Sequence, residues 1–389
     1  MPVLGRGVGL IKLMVSAGGT GGHVYPALAV VEKLPGRKTA DAAEVLWVGS
    51  KGGIEEGLIA QTGLQFVGLA AGGLRGMGLL VKIRNAARLA GGFRQARGIL
   101  AGFKPDVVLS TGGYVSVAMT LAAWLKRIPV LIYLPDIVPG QAIRTLSRFA
   151  ARVAVTSEES SRFFDRSKVV VTGYPVRSEI LTLSQAKARQ ALGLDSESKV
   201  LLVFGGSQGA RSINQALMAG LESLLPVCQV VHISGRLDAE WVTGAANDLP
   251  EAMRARYHHY DYLHDMPLAL AAADLAVARA GAATLGEFPA AGLPAVLVPY
   301  PYSGQHQTPN ADYMARNGAA RVLLDAELGE KLVPTLLELL DDAPSWQALA
   351  AMRESARSLA RPDAAEAIAG QLRALAQRPR DRGAMEVVS

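Results

Sequence analysis

An α/β chain of two halves, each a parallel sheet wrapped by helices, is what this sequence predicts, and three observations predict it. Strand-sized apolar runs alternate with helix-like patterns from end to end, which is the βαβ signature. Half the residues are apolar and 41 are glycine, the usual look of sheets buried on both faces. Two glycine-rich loops of one kind lie about half a chain apart, each entered from an apolar strand and left into a helix pattern. The first is Gly18-Gly19-Thr20-Gly21-Gly22-His23, after Lys12–Ala17; the second is Gly205-Gly206-Ser207-Gln208-Gly209-Ala210, after Val200–Phe204. Glycine at such a turn lets backbone N–H groups approach an anion, and the helix N-terminus behind it adds partial positive charge. The pair predicts two Rossmann-like domains facing a shared cleft, with a phosphate-bearing substrate between them.

The elements follow in order. Strands are expected near Leu13–Ala17, Glu44–Val48, Val107–Ser110, Val130–Tyr133, Val153–Thr156 and Val169–Thr172. Helices are expected over Tyr25–Lys33 and Leu79–Leu100, and from Gly112-Gly113-Tyr114 to Lys126. The second half repeats the rhythm, with strands near Val200–Phe204, Gln229–Ile233, Leu275–Ala278, Ala295–Val298 and Arg321–Leu323. At 389 residues the chain exceeds one ordinary core. The join falls at Gly173-Tyr174-Pro175-Val176-Arg177, where a strand ends in turn residues and a polar stretch runs to Lys199. This divides the chain into residues 1–174 and 175–361, followed by one more helix within 362–378 and a charged end.

Composition narrows the function. Apolar runs are broken by Gly, Pro or charge well before the ~20 residues of a membrane span. The apolar residues before Leu13 read as the first strand rather than a leader, and Cys228, the only cysteine, excludes an intrachain disulfide. Net charge is +6 and unevenly placed. Between Gly57 and Ser157 the only acidic residues are Asp106 and Asp136, among twelve lysines and arginines, a field that implies an acidic partner. No Asp-x-Asp pair occurs, so the metal clamp of many sugar-nucleotide enzymes is missing and no metal is expected.

The motifs now become specific. They are Gly18–His23 with Pro26, Thr111-Gly112-Gly113-Tyr114-Val115-Ser116, Gly173–Arg177, and Gly205–Arg211 with Asn214. The most distinctive is Arg279-Ala280-Gly281-Ala282-Ala283-Thr284-Leu285-Gly286-Glu287, continuing to Ala291-Gly292-Leu293-Pro294. Pro299-Tyr300-Pro301 and Gln307 with Asn310-Ala311 complete the set. In order and spacing they resemble the MurG glycosyltransferases over nearly the whole chain. That family makes lipid II by moving N-acetylglucosamine from UDP-N-acetylglucosamine (UDP-GlcNAc) to the lipid-linked muramoyl-pentapeptide, lipid I. The resemblance implies a GT-B fold, two Rossmann-like domains around a deep cleft with the last helix crossing back to the first. It implies no cofactor and no nucleic-acid partner. Related readings are a glycolipid synthase of the same superfamily or a UDP-GlcNAc 2-epimerase.

Residue chemistry fits a nucleotide sugar. Glu287 is the one carboxylate of the Arg279–Leu293 stretch, and a carboxylate can accept both hydroxyls of a ribose. Gly281–Leu285 is expected to open a helix aimed at the diphosphate, with Ser207 and Arg177 adding hydrogen bonds and charge. Outside the motifs, Ser207 reads equally as a helix cap, Glu287 as a solvated charge and Arg177 as a linker ion pair. The resemblance assigns Glu287 to the ribose, Leu263 to the uracil edge, Gln307 to the sugar hydroxyls, and Thr20, Gly21, Gly22, Ala282, Ala283, Thr284, Leu285 and Gly286 to the substrates.

An inverting displacement needs a base. His23 closes the first loop at a helix N-terminus, where the dipole favours neutral imidazole; it serves as base or only orients a hydroxyl. After Val130–Ile132 the family usually reads His-Glu-Gln-Asn, and this chain has Tyr133-Leu134-Pro135-Asp136. Asp136 keeps an acceptor oxygen, loses the amide donor, and is the alternative base. Gly72–Lys104 carries seven basic residues and no acidic one, with Leu74, Met77, Leu79, Leu80, Ile83, Leu89 and Phe93 among them. This pattern predicts a peripheral contact with anionic lipid on the cytoplasmic face of the membrane.

Overall fold

The computed structural model describes residues 11–19, 21–34, 43–69, 79–206, 209–302, 306–341 and 343–377. The first sheet has seven parallel strands: β1 (Ile11–Ala17), β2 (Ala43–Ser50), β3 (Gln65–Leu69), β4 (Val107–Gly112), β5 (Val130–Leu134), β6 (Arg152–Val155) and β7 (Val169–Val171), in the order β3-β2-β1-β4-β5-β6-β7. The second has six, β8 (Lys199–Phe204), β9 (Cys228–Ile233), β10 (Tyr257–Tyr260), β11 (Leu275–Ala278), β12 (Ala295–Leu297) and β13 (Ala320–Val322), in the order β10-β9-β8-β11-β12-β13. In each sheet the order reverses beside the first strand, at β1/β4 and at β8/β11. The crevice beyond the strand C-termini at such a reversal is where doubly wound sheets bind ligands. Both glycine-rich loops leave their strands there.

Every expected strand is present. β3 and β10 were not expected, and both are edge strands. β3, Gln-Phe-Val-Gly-Leu, is only half-buried over most of its length, and β10 reads Tyr-His-His-Tyr, so neither is enclosed like a central parallel strand. Eight helices bear on the site: α1 (Gly21–Glu32), α2 (Ile54–Ala60), α3 (Leu79–Phe103), α4 (Tyr114–Leu125), α5 (Arg211–Ala219), α6 (Glu287–Ala291), α7 (Gln307–Arg316) and α8 (Ala364–Ala376). The polar stretch before Lys199 holds two short helices, Ser178–Thr182 and Gln185–Leu192; Ser184 caps the second and Gly193, at φ 67°, ends it.

The chain crosses between domains twice. Gly173 lies at φ 89°, and a Cβ there would overlap the Arg361 side chain, so the two crossings touch. α8 then packs on α1 and β4 of the first domain. Its Ile368, Ala369, Leu372 and Leu375 are buried in the apolar cluster that contains Leu13, Val24 and Leu109. No described helix is long and apolar enough to cross a membrane.

Candidate active site

On the first-domain side, β1 hands the chain to the loop and α1 begins at Gly21, earlier than expected, so His23 lies in its first turn. Beneath the loop is a wholly buried carboxylate, Glu55 of α2. It accepts hydrogen bonds from the backbone N–H of Ser50 at 2.7 Å and of Gly19 at 3.4 Å. A Cβ at Gly18 would overlap that carboxylate. Gly112 and Gly113, at φ 119° and 86°, follow the same logic. A Cβ on Gly112 would stand 2.9 Å from the His23 ring, and one on Gly113 only 2.6 Å from the Gly18 carbonyl oxygen. The hydroxyl of Thr111 donates to the His23 carbonyl at 2.8 Å.

His23 Nδ1 is buried with no hydrogen-bond partner among the described residues. Burial pushes the His23 pKa below the ordinary 6.5; nearby Asp136 and the hydrogen bond with Thr111 oppose that shift. The imidazole is therefore neutral as expected, with desolvation rather than the helix dipole as the leading cause. His23 and Asp136 line one cavity of about 190 Å³ with Ser110, Ser116, Gly140 and, from the second domain, His306.

The second loop is tightly constrained as well. A Cβ at Gly205 would overlap the Ala210 nitrogen, and one at Gly209, φ 78°, the Ser234 carbonyl oxygen. Behind it lies a polar network. Asn214 of α5 donates to the Ser234 carbonyl and to Asp238, both at 2.9 Å, and Arg211 pairs with Asp238 at 2.6 Å. His232 bonds Asn214 Oδ1 through Nε2 at 3.0 Å and the Tyr257 hydroxyl through Nδ1 at 2.7 Å. Burial lowers the His232 pKa to about 3, so this histidine is neutral, with Nε2–H donating to the amide oxygen. Ser207 and Thr20 lie outside the described residues.

Gly281–Leu285 does not open an α-helix. Ala282–Leu285 forms a 3₁₀ turn instead, and α6 begins only at Glu287. The cause is local: both the N–H of Thr284, at 3.0 Å, and its hydroxyl, at 2.7 Å, donate to the Gly281 carbonyl. A Cβ on Gly286 would overlap the Tyr174 ring, which explains the glycine before Glu287. Burial raises the Glu287 pKa, and Arg177 counters that shift.

The Arg177 guanidinium stacks 4.9 Å from the centre of the Tyr25 ring, and its Nε is buried without a partner among the described residues. Burial first, and then nearby Tyr262, raise the Tyr25 pKa, so an aromatic from α1 lies close to the neighbour of Leu263 across the cleft. Leu263 is partly buried against the large apolar cluster. Gln307 opens α7, and its Oε1 accepts from the Tyr300 N–H at 2.9 Å. The structure thus gathers Arg177 with Glu287, and His23 with Asp136. Sequence reading missed Glu55, Tyr25, Tyr262 and His306. The two tyrosines stand next to residues the sequence singles out, between His23 and Pro26 and beside Leu263, whereas Glu55 in Lys-Gly-Gly-Ile-Glu-Glu looks like an ordinary exposed helix start.

Comparison with known proteins decides the family. Residues 13–155 match the model of the glycosyltransferase family 28 N-terminal domain, and residues 200–368 that of the C-terminal domain. A relative from Roseiflexus sp. (strain RS-1) is 41% identical over 94% of this chain and 95% of its own length; it is named UDP-N-acetylglucosamine–N-acetylmuramyl-(pentapeptide) pyrophosphoryl-undecaprenol N-acetylglucosamine transferase. The chain belongs to the MurG family of glycosyltransferases. A solved MurG structure, from Acinetobacter baumannii, superposes with TM-score 0.74 at 29% identity, covering 94% of this chain and 99% of that one. The MurG fold, GT-B, is therefore the fold found here. A UDP-GlcNAc 2-epimerase from Neisseria meningitidis shares the fold alone: TM-score 0.66, 16% identity, covering 93% of this chain and 99% of that one.

Proposed function

We propose that this chain transfers N-acetylglucosamine from UDP-GlcNAc to the muramoyl C4 hydroxyl of lipid I, giving lipid II for peptidoglycan synthesis. The observation that carries this reading is the identity with the Roseiflexus relative, 41% over nearly the full chain, whose name states this transfer. The donor unit is residues 175–361, the acceptor and membrane unit residues 1–174, with residues 362–378 returning to the latter.

In the donor unit, Glu287 accepts the ribose hydroxyls and backbone groups at Leu263 meet the uracil. The N–H groups at the open start of the Ala282–Leu285 turn, with Ser207, take the diphosphate. Arg177, whose Nε has no partner among the described residues, adds a donor and a fixed positive charge. Gln307 Nε2 donates to the sugar hydroxyls. In the acceptor unit, Thr20, Gly21 and Gly22 shape the pocket wall beside His23. Neutral His23 takes the C4 hydroxyl proton as that oxygen bonds the anomeric carbon and the bond to UDP breaks. Arg177 and the turn stabilise the charge on departing UDP without a metal. Incubation with radiolabelled UDP-GlcNAc and lipid I tests the reading: label extracted into the lipid phase supports it, and hydrolysis or epimerisation alone removes it.

Contact with the membrane belongs to the same proposal. Leu79, Leu80, Ile83, Arg84 and Arg88 have side chains outside the described set, as does the loop with Leu74, Arg75 and Met77. Phe93 is not an inserting residue: it is partly buried against the apolar core of the first domain. A stronger anchor stands at the end of α4. Trp124 is 49% exposed and Leu125 57%, large apolar groups in water. Trp124 and Phe149 meet edge to face at 4.9 Å on the wall of a cavity of about 420 Å³, which Arg127, Arg148 and Lys168 also line. Aromatic and basic groups together suit an anionic headgroup boundary. The protein is expected to float with anionic vesicles at low salt and be released at high salt. Equal flotation with neutral vesicles, or no change when Trp124, Leu125 and Arg127 are replaced together, would remove the membrane assignment.

A further inference from the structure

Asn310 of α7 is wholly buried, yet its carboxamide reaches across the cleft. Its Oδ1 accepts from the backbone N–H of Ile137 at 3.0 Å. Its Nδ2 donates to Asp136 Oδ1 at 2.9 Å and to the Ala280 carbonyl at 3.1 Å. Asp136 and Ile137 follow β5 in the first domain, while Ala280 immediately precedes the Gly281–Leu285 turn of the second. One side chain therefore ties the turn assigned to the donor diphosphate to the wall of the pocket that holds His23.

Asn310 is not alone on its helix. At the N-cap of α7, His306 lies 3.7 Å from where a Cβ on Gly140 would stand, and at its last turn Arg316 pairs with Glu159 at 2.9 Å. The helix is thus seated along its length on the first domain, with the buried amide at the centre and the exposed ion pair at the rim. The exposed pair is worth little by itself. The buried contacts are different, because opening the cleft without water in their place would strand the Ile137 N–H and the Asn310 amide.

We propose that Asn310 is the latch of cleft closure and a positioning residue for Asp136, holding its carboxylate in the acceptor pocket when the donor turn is docked. The carboxylate at 136 makes the latch directional. An amide at that position could meet Asn310 through either its oxygen or its nitrogen. A carboxylate only accepts, so the Asn310 N–H₂ must face Asp136 and Ala280, and its oxygen must face Ile137. The bond to an ionised acceptor is also stronger than one between neutral amides. Closure and the placement of a charged group beside His23 become one event. The role of Asp136 in chemistry rests on the transferase reading, whereas the latch itself does not.

The test is an amide–carboxylate swap with rescue, read by a fluorophore pair attached to surface cysteines in the two domains of the full chain. Asn310→Asp sets a carboxylate against Asp136 and the Ala280 carbonyl. Substrate-free protein should then show a wider domain spacing, and kcat should fall about 10- to 100-fold with a smaller change in the KM for UDP-GlcNAc. Adding Asp136→Asn to that variant returns a donor opposite the new carboxylate and should restore the spacing, whatever Asp136→Asn alone does to kcat. Asn310→Ser, which removes the amide without adding charge, should widen the spacing even where Asn310→Asp folds poorly. Spacing that is unchanged in Asn310→Ser, or that stays wide in the double variant, overturns the latch. Widened spacing with an unchanged kcat removes the positioning role. A wild-type chain with normal spacing and no transfer would sink the functional reading and leave the latch standing.

Discussion

Under the first glycine-rich loop lies a carboxylate, Glu55; under the second lies a hydrogen-bonded network around Asn214 and His232, whose one carboxylate, Asp238, is paired with Arg211. In sequence the loops are near repeats, and both leave a parallel strand where the sheet order reverses. Their surroundings separate them. A buried carboxylate that already draws on the N–H groups of Ser50 and Gly19 takes up donors that a phosphate on this loop would need. The first loop instead presents His23 over the bare Cα of Gly112. The second has its charge neutralised and fits the donor side. A glycine-rich turn supplies a geometry; the groups buried beneath it decide which charge it favours.

The largest expected effect falls on the first loop. His23→Ala should lower kcat by about 10²–10⁴-fold, the range of general-base catalysis, with the donor KM little changed. A loss under about tenfold would pass the base role to Asp136. Because the His23 pKa lies below 6.5, the basic form persists at neutral pH, and the acid limb of the kcat profile should fall below pH 6.5. A limb centred above 6.5 would contradict that assignment.

Next in size is the donor side. Glu287→Ala removes the charge-assisted bonds to a ribose diol and should raise the KM for UDP-GlcNAc by about 10- to 100-fold. Isothermal titration with UDP checks it, and unchanged affinity in a folded variant excludes Glu287 from the site.

Glu55→Gln sharpens the contrast between the loops. It sets an amide N–H₂ toward a backbone donor, and chemical unfolding should show a loss of about 1–3 kcal/mol. Acceptor KM should rise while donor KM stays put; an equal rise in both would abolish the division of labour.

The network under the second loop should reveal itself in acid. The folded His232 pKa of about 3 lies below the unfolded 6.5, so the unfolded chain binds a proton that the folded chain refuses. Its stabilising contribution is complete above pH 6.5 and is lost as pH falls toward 3, by up to ~1.4 kcal/mol per pH unit. Replacing His232 by Gln should flatten the slope of unfolding free energy between pH 6.5 and 5, and an identical slope would mean His232 is not held neutral. The smallest effect is expected from EDTA, which should leave transfer intact; inhibition reversed by Mg²⁺ would reintroduce a metal on the donor side.

The sequence by itself determined the doubly wound class, the central strands, both loops and the motif around Glu287. These are local signals: apolar runs mark central parallel strands, and positive φ or close backbone approach admits only glycine. Only the tertiary structure revealed the edge strands: β3, a short apolar stretch left half-buried, and β10, whose Tyr-His-His-Tyr carries no apolar run. It also turned the expected helix at Gly281 into a 3₁₀ turn, through a Thr284 hydroxyl whose aim no pattern encodes. The same holds for Glu55 beneath Gly18, Tyr25 against Arg177 and Tyr262, and Asn310 on Asp136. Those residues differ from solvated surface groups only in what folding places over them. Burial and partner, not residue type, set the protonation of His23, and both come from segments far apart in the chain.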